Sequence, residues 1–283
     1  MIHKIVERQD LAPRIKLFKI EAREIARKAQ PGQFIILRID ETGERIPLTI
    51  ADFDAKQGTI TIIFQEVGRT TNLLGAMNEG DFILDFAGPL GCASEIEKFG
   101  TVVCIGGGVG VAPVYPVARA LHEAGNRLIS IIGARSKDML IWENEMEKIS
   151  SQLYVATDDG TAGTKGFVTD VLKEVLDREK VDRVVAIGPV VMMQAVAKVV
   201  PPDLPLVVSL NTIMVDGTGM CGACRLEAAG QTMFACVDGP EFDGHTVNWD
   251  LILHRAKIFK NEEKEALQVV KKGGCQCQSL NGK

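Results

Sequence analysis

Near residue 100 the hydrophobic pattern of this chain changes period, and that change limits its possible folds more than any other feature. Downstream, short apolar runs at 101–105, 128–132, 152–156, 183–187 and 206–209 alternate with helical patterns at 114–124, 137–149, 167–178 and 191–199. Alternating strands and helices require a parallel sheet with helices on both faces. Upstream, short alternating runs recur at 14–20, 33–39, 59–64 and 82–86, punctuated by Pro31-Gly32 and Gly88-Pro89. Regular short strands with turn signals predict a small antiparallel barrel. The expected fold class is therefore α/β plus β. A β-barrel spans 1–97, a doubly wound α/β domain 98–209, a small cysteine-bearing subdomain 210–249 and a helical tail 250–283.

A length of 283 residues calls for more than one core, and 46% hydrophobic with 24% charged residues is the composition of a water-soluble protein. The net charge of -5, with no basic block, argues against nucleic acid as a partner. Charged residues break the N-terminal run Met1–Arg8 too early for a signal peptide. The uncharged run 101–118 contains four glycines and two prolines, which suits a buried strand and loop and not a membrane span. The expected location is the cytoplasm, without membrane contact.

Seven cysteines are spread unevenly. Asp216, Cys221, Cys224 and Cys236 follow the spacing Asp-x4-Cys-x2-Cys-x11-Cys. The plant-type [2Fe-2S] pattern is Cys-x4-Cys-x2-Cys…Cys, so Asp216 stands where the first cysteine belongs. Gly217, Gly219 and Gly222 permit the tight turns of a loop that wraps a cluster. Two alternatives stay open: a structural zinc site, although only one CxxC knuckle is present, and three unrelated thiols with Asp216 as a turn residue. The segment 210–249 has little periodicity and is expected to bury little apolar surface, so that a metal centre would hold it together. Cys275 and Cys277 read as exposed tail thiols in a frayed end, 271–283.

The apolar run ending at Ile105 enters Gly106-Gly107-Gly108-Val109-Gly110-Val111-Ala112-Pro113, a strand-to-helix turn of the kind that binds phosphate. It lacks the third glycine of GxGxxG, and Gly133-Ala134-Arg135 ends the next strand without an acidic residue. Gly108-Val109-Gly110-Val111-Ala112-Pro113 resembles instead the Gly-Thr-Gly-x-Ala-Pro loop of the ferredoxin-NADP reductase superfamily. Gly188-Pro189-Val190-Val191-Met192 resembles that superfamily's Cys-Gly-Pro-x-x-Met signature beside the nicotinamide, with Ile187 in place of the cysteine. Arg45-Ile46-Pro47-Leu48-Thr49 resembles its flavin motif Arg-x-Tyr-Ser, with Arg45 one residue early. Gly68-Arg69-Thr70-Thr71-Asn72 resembles the second flavin motif, and Gly88-Pro89-Leu90-Gly91 the turn that leaves the barrel.

The order of these motifs resembles the electron-transfer subunits of dihydroorotate dehydrogenase and the small subunits of NADH-dependent reduced ferredoxin:NADP+ oxidoreductases. The second type has Asp in the first ligand place, as in Met214-Val215-Asp216-Gly217 here. The resemblance implies FAD on Arg45, Pro47, Leu48, Thr49, Gly68, Thr70 and Thr71. It implies NAD(H) on Gly108, Val109, Gly110, Val111, Ala112, Pro113, Asp158, Gly188, Pro189 and Met192. It further implies a [2Fe-2S] cluster on Asp216, Cys221, Cys224 and Cys236, and a heterodimer with a larger subunit carrying FAD and [4Fe-4S] clusters that serves ferredoxin and bifurcates electrons. Asp158, in the run Thr157-Asp158-Asp159-Gly160, is read either as a ribose contact or as a capped turn. Arg135 is read as neutral for nucleotide specificity. No catalytic acid or base is assigned, since His3, His122, His245 and His254 lack partner bases in the sequence. A nucleotide-sensing module stabilised by zinc is the alternative from another functional class.

Overall fold

The structure is a computed structural model that describes residues 2–272. Its first unit contains β1 (His3–Ala12), β2 (Ile15–Glu21), α1 (Arg23–Ala26), β3 (Phe34–Arg38), β4 (Ile46–Asp54), β5 (Thr59–Gln65), α2 (Arg69–Gly75), β6 (Phe82–Ile83) and β7 (Asp85–Leu90). The strands pair antiparallel in the order β6-β1-β2-β5-β4-β3-β7. Only Leu84 separates β6 from β7, so one stretch of chain pairs with β1 at its start and with β3 at its end. That stretch nearly closes the sheet into a barrel.

Side chains of a strand alternate between its two faces, and here both faces are apolar. Phe18, Ile20, Ile35, Leu37, Ile60, Ile62 and Phe64 fill the barrel. Their neighbours Ile15, Leu17 and Ile63 point outward into a second core, and Phe34 and Ile36 into a third. The expected strands therefore form, but β1 has no comparable apolar signal. Charge pairing supplies the register of β1: Glu7 lies opposite Lys19, with an ion pair of 2.6 Å, and Asp10 lies opposite Lys16.

The second unit contains β8 (Thr101–Gly107), α3 (Val111–Glu123), β9 (Arg127–Ala134), α4 (Glu143–Ile149), β10 (Gln152–Thr157), β11 (Thr164–Lys165), α5 (Val168–Arg178), β12 (Arg183–Ile187), α6 (Val190–Val199) and β13 (Leu206–Ser209). Its strands run parallel in the order β11-β10-β9-β8-β12-β13. Val168, Val171, Leu172 and Val175 give α5 one apolar stripe at helical spacing, and that stripe lies on the sheet. The helix expected over 137–149 is shorter. Lys137–Met139 forms a single 3-10 turn, and Trp142 takes a left-handed φ of 53° before α4 begins. The interruption inserts the extended, buried Ile141 into the core and sets the Trp142 ring edge-on to Tyr115 at 4.9 Å.

The chain continues through β14 (Arg225–Ala228), β15 (Gln231–Phe234), β16 (Glu241–Asp243), α7 (Trp249–Arg255) and α8 (Lys260–Lys272). The expectation that 210–249 buries little is not met. Met214, Leu226, Ala228, Ala235, Phe242 and Val247 are buried in the core that also holds Phe34 and Ile36. β14 and β15 form a hairpin, and β16 adds an antiparallel strand to the edge at β13. Periodicity failed to signal this because its short strands lie between long turns. The helical tail appears as α7 and α8, while Cys275 and Cys277 fall outside the described residues. Among the described residues no helix is long and apolar enough to cross a membrane.

The barrel and the parallel sheet share one core beneath α3, where Leu17, Ala51 and Ile63 meet Val111, Val114 and Val117. Arg119 on α3 also donates to Asp52 on β4 at 2.8 Å. Leu17→Ala leaves a cavity in that joint and costs about 2–4 kcal/mol. The expected result is a thermal midpoint lower by roughly 5–10 °C, measured by calorimetry. A change below about 1 °C would mean that the joint contributes nothing to stability.

Candidate functional site

The two glycine-rich loops of the parallel sheet meet at the carboxyl ends of adjacent strands, where open α/β sheets bind their ligands. Gly106 on β8 lies level with Ile187 on β12. A Cβ on Gly110 would fall 2.3 Å from the Ile187 carbonyl oxygen and 2.7 Å from Gly188 Cα. Met192 lies over both loops, so a Cβ on Gly107 would meet its sulfur at 2.2 Å and one on Gly188 its methyl group at 2.7 Å. Close backbone approach therefore requires glycine at these positions. Gly108 differs: its φ is +56° and nothing lies within 4 Å of its missing Cβ, which leaves its surface open. Val111 and Ala112 are buried at the start of α3 and aim its N-terminus along the loop. Val109 and Pro113 complete the turn, and Pro189 caps α6.

Asp158 is exposed just past the end of β10. Its N–H donates to the Ala134 carbonyl at 3.1 Å, which fastens it beside the end of β9. Asp158 thus lies at the carboxyl end of the sheet, two strands from the glycine loop, with β9 between them.

On the barrel, the residues of β4 divide between its faces. Ile46 and Leu48 pack on the barrel interior. Pro47 and Thr49 pair with the outward residues Ile36 and Phe34 of β3. Leu48 thus keeps its side chain in the barrel, so that only its backbone is available to a ligand outside. Arg45 lines a cavity of about 470 Å³ together with Ile36, Arg38, Asp85, Phe86 and Asp216. Arg38 in this cavity belongs to none of the sequence motifs; it donates to Asp85 at 2.6 Å, a cross-strand pair that apolar patterning does not reveal.

Gly68 precedes α2 in an extended conformation with open space beside it. Both neighbouring hydroxyls are engaged within the protein. Thr71 Oγ1 accepts from the Val67 and Gly68 N–H groups at 3.0 Å each, and Thr70 Oγ1 donates to Glu44 at 2.6 Å. The Gly68 N–H and carbonyl are engaged as well, the carbonyl by Asn72, so the N–H groups of the first turn of α2 are what the loop leaves for a ligand.

The cysteine loop rests on the outward face of the barrel. Gly217 has a φ of +75°, and a Cβ there would lie 2.7 Å from Ile36 and 2.8 Å from Leu90. Gly219 and Gly222 also have positive φ. Cys224 and Cys236 are buried with their sulfurs 3.2 Å apart. Burial, then the bond to Cys224, pushes the Cys236 thiol up to about 11. Two thiolates this close and this buried would require a cation between them. Cys221 is exposed, and its sulfur accepts from Ala223 N–H at 3.5 Å. Among the described residues no three ligating side chains converge on one point. Asp216 accepts from the Thr218 N–H at 2.8 Å and the Cys221 N–H at 2.9 Å, and these bonds hold its carboxyl below the usual range. The glycine cradle and the buried thiol pair suit an iron-sulfur group, while Asp216 ties the loop at both of its oxygens. Cys104, inside β8, and Cys92, which donates to the Val237 carbonyl, stand apart from this pair.

Comparison with known proteins agrees with this division of labour. Residues 211–248 match the iron-sulfur cluster binding domain of dihydroorotate dehydrogenase B. Residues 104–198 match the oxidoreductase NAD-binding domain. The first match stands against a zinc site. The dihydroorotate dehydrogenase B (NAD(+)) electron transfer subunit homolog of Thermotoga maritima is 48% identical over 264 residues, 93% of each chain. A Clostridium beijerinckii protein described as an uncharacterized protein in the adh 3' region is 48% identical over 292 residues, 98% of this chain and 99% of that one. A solved structure of the NADH-dependent reduced ferredoxin-NADP oxidoreductase, studied for flavin-based electron bifurcation, superposes with a TM-score of 0.91 and 46% identity. It covers 95% of this chain and 98% of the matched chain. The barrel, the NAD-binding sheet and the cysteine segment together place this chain in the family of oxidoreductase electron-transfer subunits of the dihydroorotate dehydrogenase B type.

Proposed function

We propose that this chain is the small subunit of an NADH-dependent reduced ferredoxin:NADP+ oxidoreductase, exchanging a hydride between NAD(H) and FAD and relaying electrons to a larger subunit. The observation that carries this reading is the seat of the cysteine loop. It packs on Ile36 and Leu90, on the same outward face that presents Pro47 and Thr49. FAD held on this barrel would supply hydride acceptance with single-electron release, and a [2Fe-2S] cluster on the cysteine loop would supply one-electron transfer.

This chain's residues supply binding and orientation. The backbone of Gly108, Gly110 and the start of α3 cradles the nucleotide pyrophosphate, and Pro189 with Met192 limits where the nicotinamide lies. Thr49 and the Leu48 backbone hold the flavin ring, while Arg45 and the Gly68 turn face its phosphates. Cys221, Cys224 and Cys236 hold the cluster. Asp216 either completes the ligand set or ties the loop through the backbone bonds described above.

A partner is part of the reading. Val215, Met220 and Val237 are exposed around the cysteine loop, with Met220 88% exposed. Exposed apolar side chains clustered at an electron exit suit a subunit contact. The proposed partner carries a second FAD and [4Fe-4S] clusters, and ferredoxin reacts through the complex. The reducing cytoplasm suits these unpaired thiols. Asp216 favours this assignment over the dihydroorotate dehydrogenase partner, whose loop carries a fourth cysteine.

NADH is expected to bleach the bound flavin within a stopped-flow trace. Gly110→Val, which drives a side chain into the Ile187 carbonyl, should abolish bleaching while iron content stays normal. Absence of bleaching by both NADH and NADPH in the unaltered protein would retire the reading. Serine at Cys221, Cys224 or Cys236 is expected to lose iron, whereas Cys92→Ser and Cys104→Ser keep it. Normal iron in the Cys236 variant would break the proposed ligand set. If Asp216 is a ligand, Asp216→Cys keeps the cluster with a shifted midpoint in a redox titration. Equal midpoints in the aspartate, asparagine and cysteine forms would leave Asp216 as a turn residue.

A further inference from the structure

Two arginines hold the turn between Cys221 and Cys224 from outside. Arg225 Nη1 donates to the Gly222 carbonyl at 3.1 Å, and Arg255 Nη2 donates to the Ala223 carbonyl at 2.7 Å. Arg225 follows the turn directly. Arg255 lies 32 positions beyond Ala223, at the last residue of α7.

Several contacts fix α7 in place. Asn248 caps its N-terminus by accepting from the Leu251 N–H at 3.1 Å, while its own N–H donates to the Glu227 carbonyl of β14 at 2.9 Å. Trp249 Nε1 donates to the Gly244 carbonyl at 3.1 Å. Ile252 is buried in the core that holds Cys224 and Cys236. Residues three apart share a helix face, so Arg255 lies on the Ile252 side and reaches back to the cysteine loop.

These bonds orient the turn. The carbonyl and N–H of one trans peptide point in opposite directions. With the Gly222 carbonyl turned to Arg225, the Ala223 N–H faces the other way and meets Cys221 Sγ at 3.5 Å. With the Ala223 carbonyl turned to Arg255, the Cys224 N–H faces away from α7.

The charges are as one-sided as the hydrogen bonds. Among the described residues neither arginine forms an ion pair. Burial, then the charge of Arg225, disfavours the charged form of Arg255, while Cys224 as a thiolate favours it. The counter-charge for this guanidinium is therefore at the thiol site. A [2Fe-2S] group on thiolates is net negative and gains one further negative charge on taking an electron from the flavin, so a fixed cation beside it favours the reduced form.

We propose that Arg255 is a positioning residue for the cluster. It holds the Cys221–Cys224 turn with the Ala223 N–H toward Cys221, and as a fixed positive charge it raises the reduction potential of the group bound there. The inference rests on the iron-sulfur reading above and adds what sets the potential of that site.

The test is a redox titration of the purified flavin- and cluster-loaded protein, followed by electron paramagnetic resonance, with iron content measured alongside. Arg255→Gln is expected to lower the midpoint by at least threefold in the one-electron equilibrium, about 28 mV at about 59 mV per tenfold. Arg255→Lys, which keeps the charge, should shift it by less than half as much. Iron lost from the glutamine variant but kept by the lysine variant would support the same role, since lysine retains the charge that glutamine lacks. A smaller or upward shift in Arg255→Gln would overturn the proposal, and so would a lysine variant that shifts by half as much or more, or that loses iron as the glutamine variant does. Absence of iron and of the reduced-cluster signal in the unaltered protein would overturn the iron-sulfur reading itself, and this proposal with it.

Discussion

The outward faces of the barrel strands carry the organisation of this molecule. An ordinary small barrel keeps its apolar residues inside and its polar residues out. Here Leu17 and Ile63 are buried against α3, while Phe34 and Ile36 join the core of the cysteine segment. Each unit therefore covers apolar surface that another would leave in water. The spacing between β4, the glycine loops and the thiol pair is set by close-packed side chains, and transfer between sites needs such fixed spacing more than it needs any single reactive group.

The glycines show how backbone packing serves the same end. Gly107, Gly110 and Gly188 are required because Met192 and the Ile187 carbonyl already occupy the space a side chain would fill. The two loops thus form one surface, although 80 positions separate Gly108 from Gly188. Gly217 has the equivalent role between the cysteine loop and the barrel, pressed against Ile36 and Leu90. The buried pair Cys224 and Cys236 lies in that same core.

The sheet of the second unit was legible because β8, β9, β10, β12 and β13 are nearly continuous apolar runs, as burial on both faces demands, whereas the exposed edge strand β11, Thr164–Lys165, gave no such signal. Strands at 183–187 and 206–209 are found with those bounds as β12 and β13. β1 was not legible, since it is held by ion pairs whose partners lie on another strand. The cysteine spacing was visible, but the apolar burial around it was not, because Leu226, Ala235 and Phe242 follow neither a helical nor a strand period. Leu48 illustrates a different limit. A motif match located the residue, yet only the pairing with Ile35 shows that its side chain turns into the barrel.

The edge strand β16 has a consequence for the chain as a whole. It is the one antiparallel member of the parallel sheet, and it comes from the segment that carries the cysteines. By pairing with β13 it occupies backbone groups that would otherwise form an open margin. The segment that houses the cysteine loop is thereby also a guard against self-association: a chain that stops short of Glu241 presents the uncovered β13 as a template on which other copies can add.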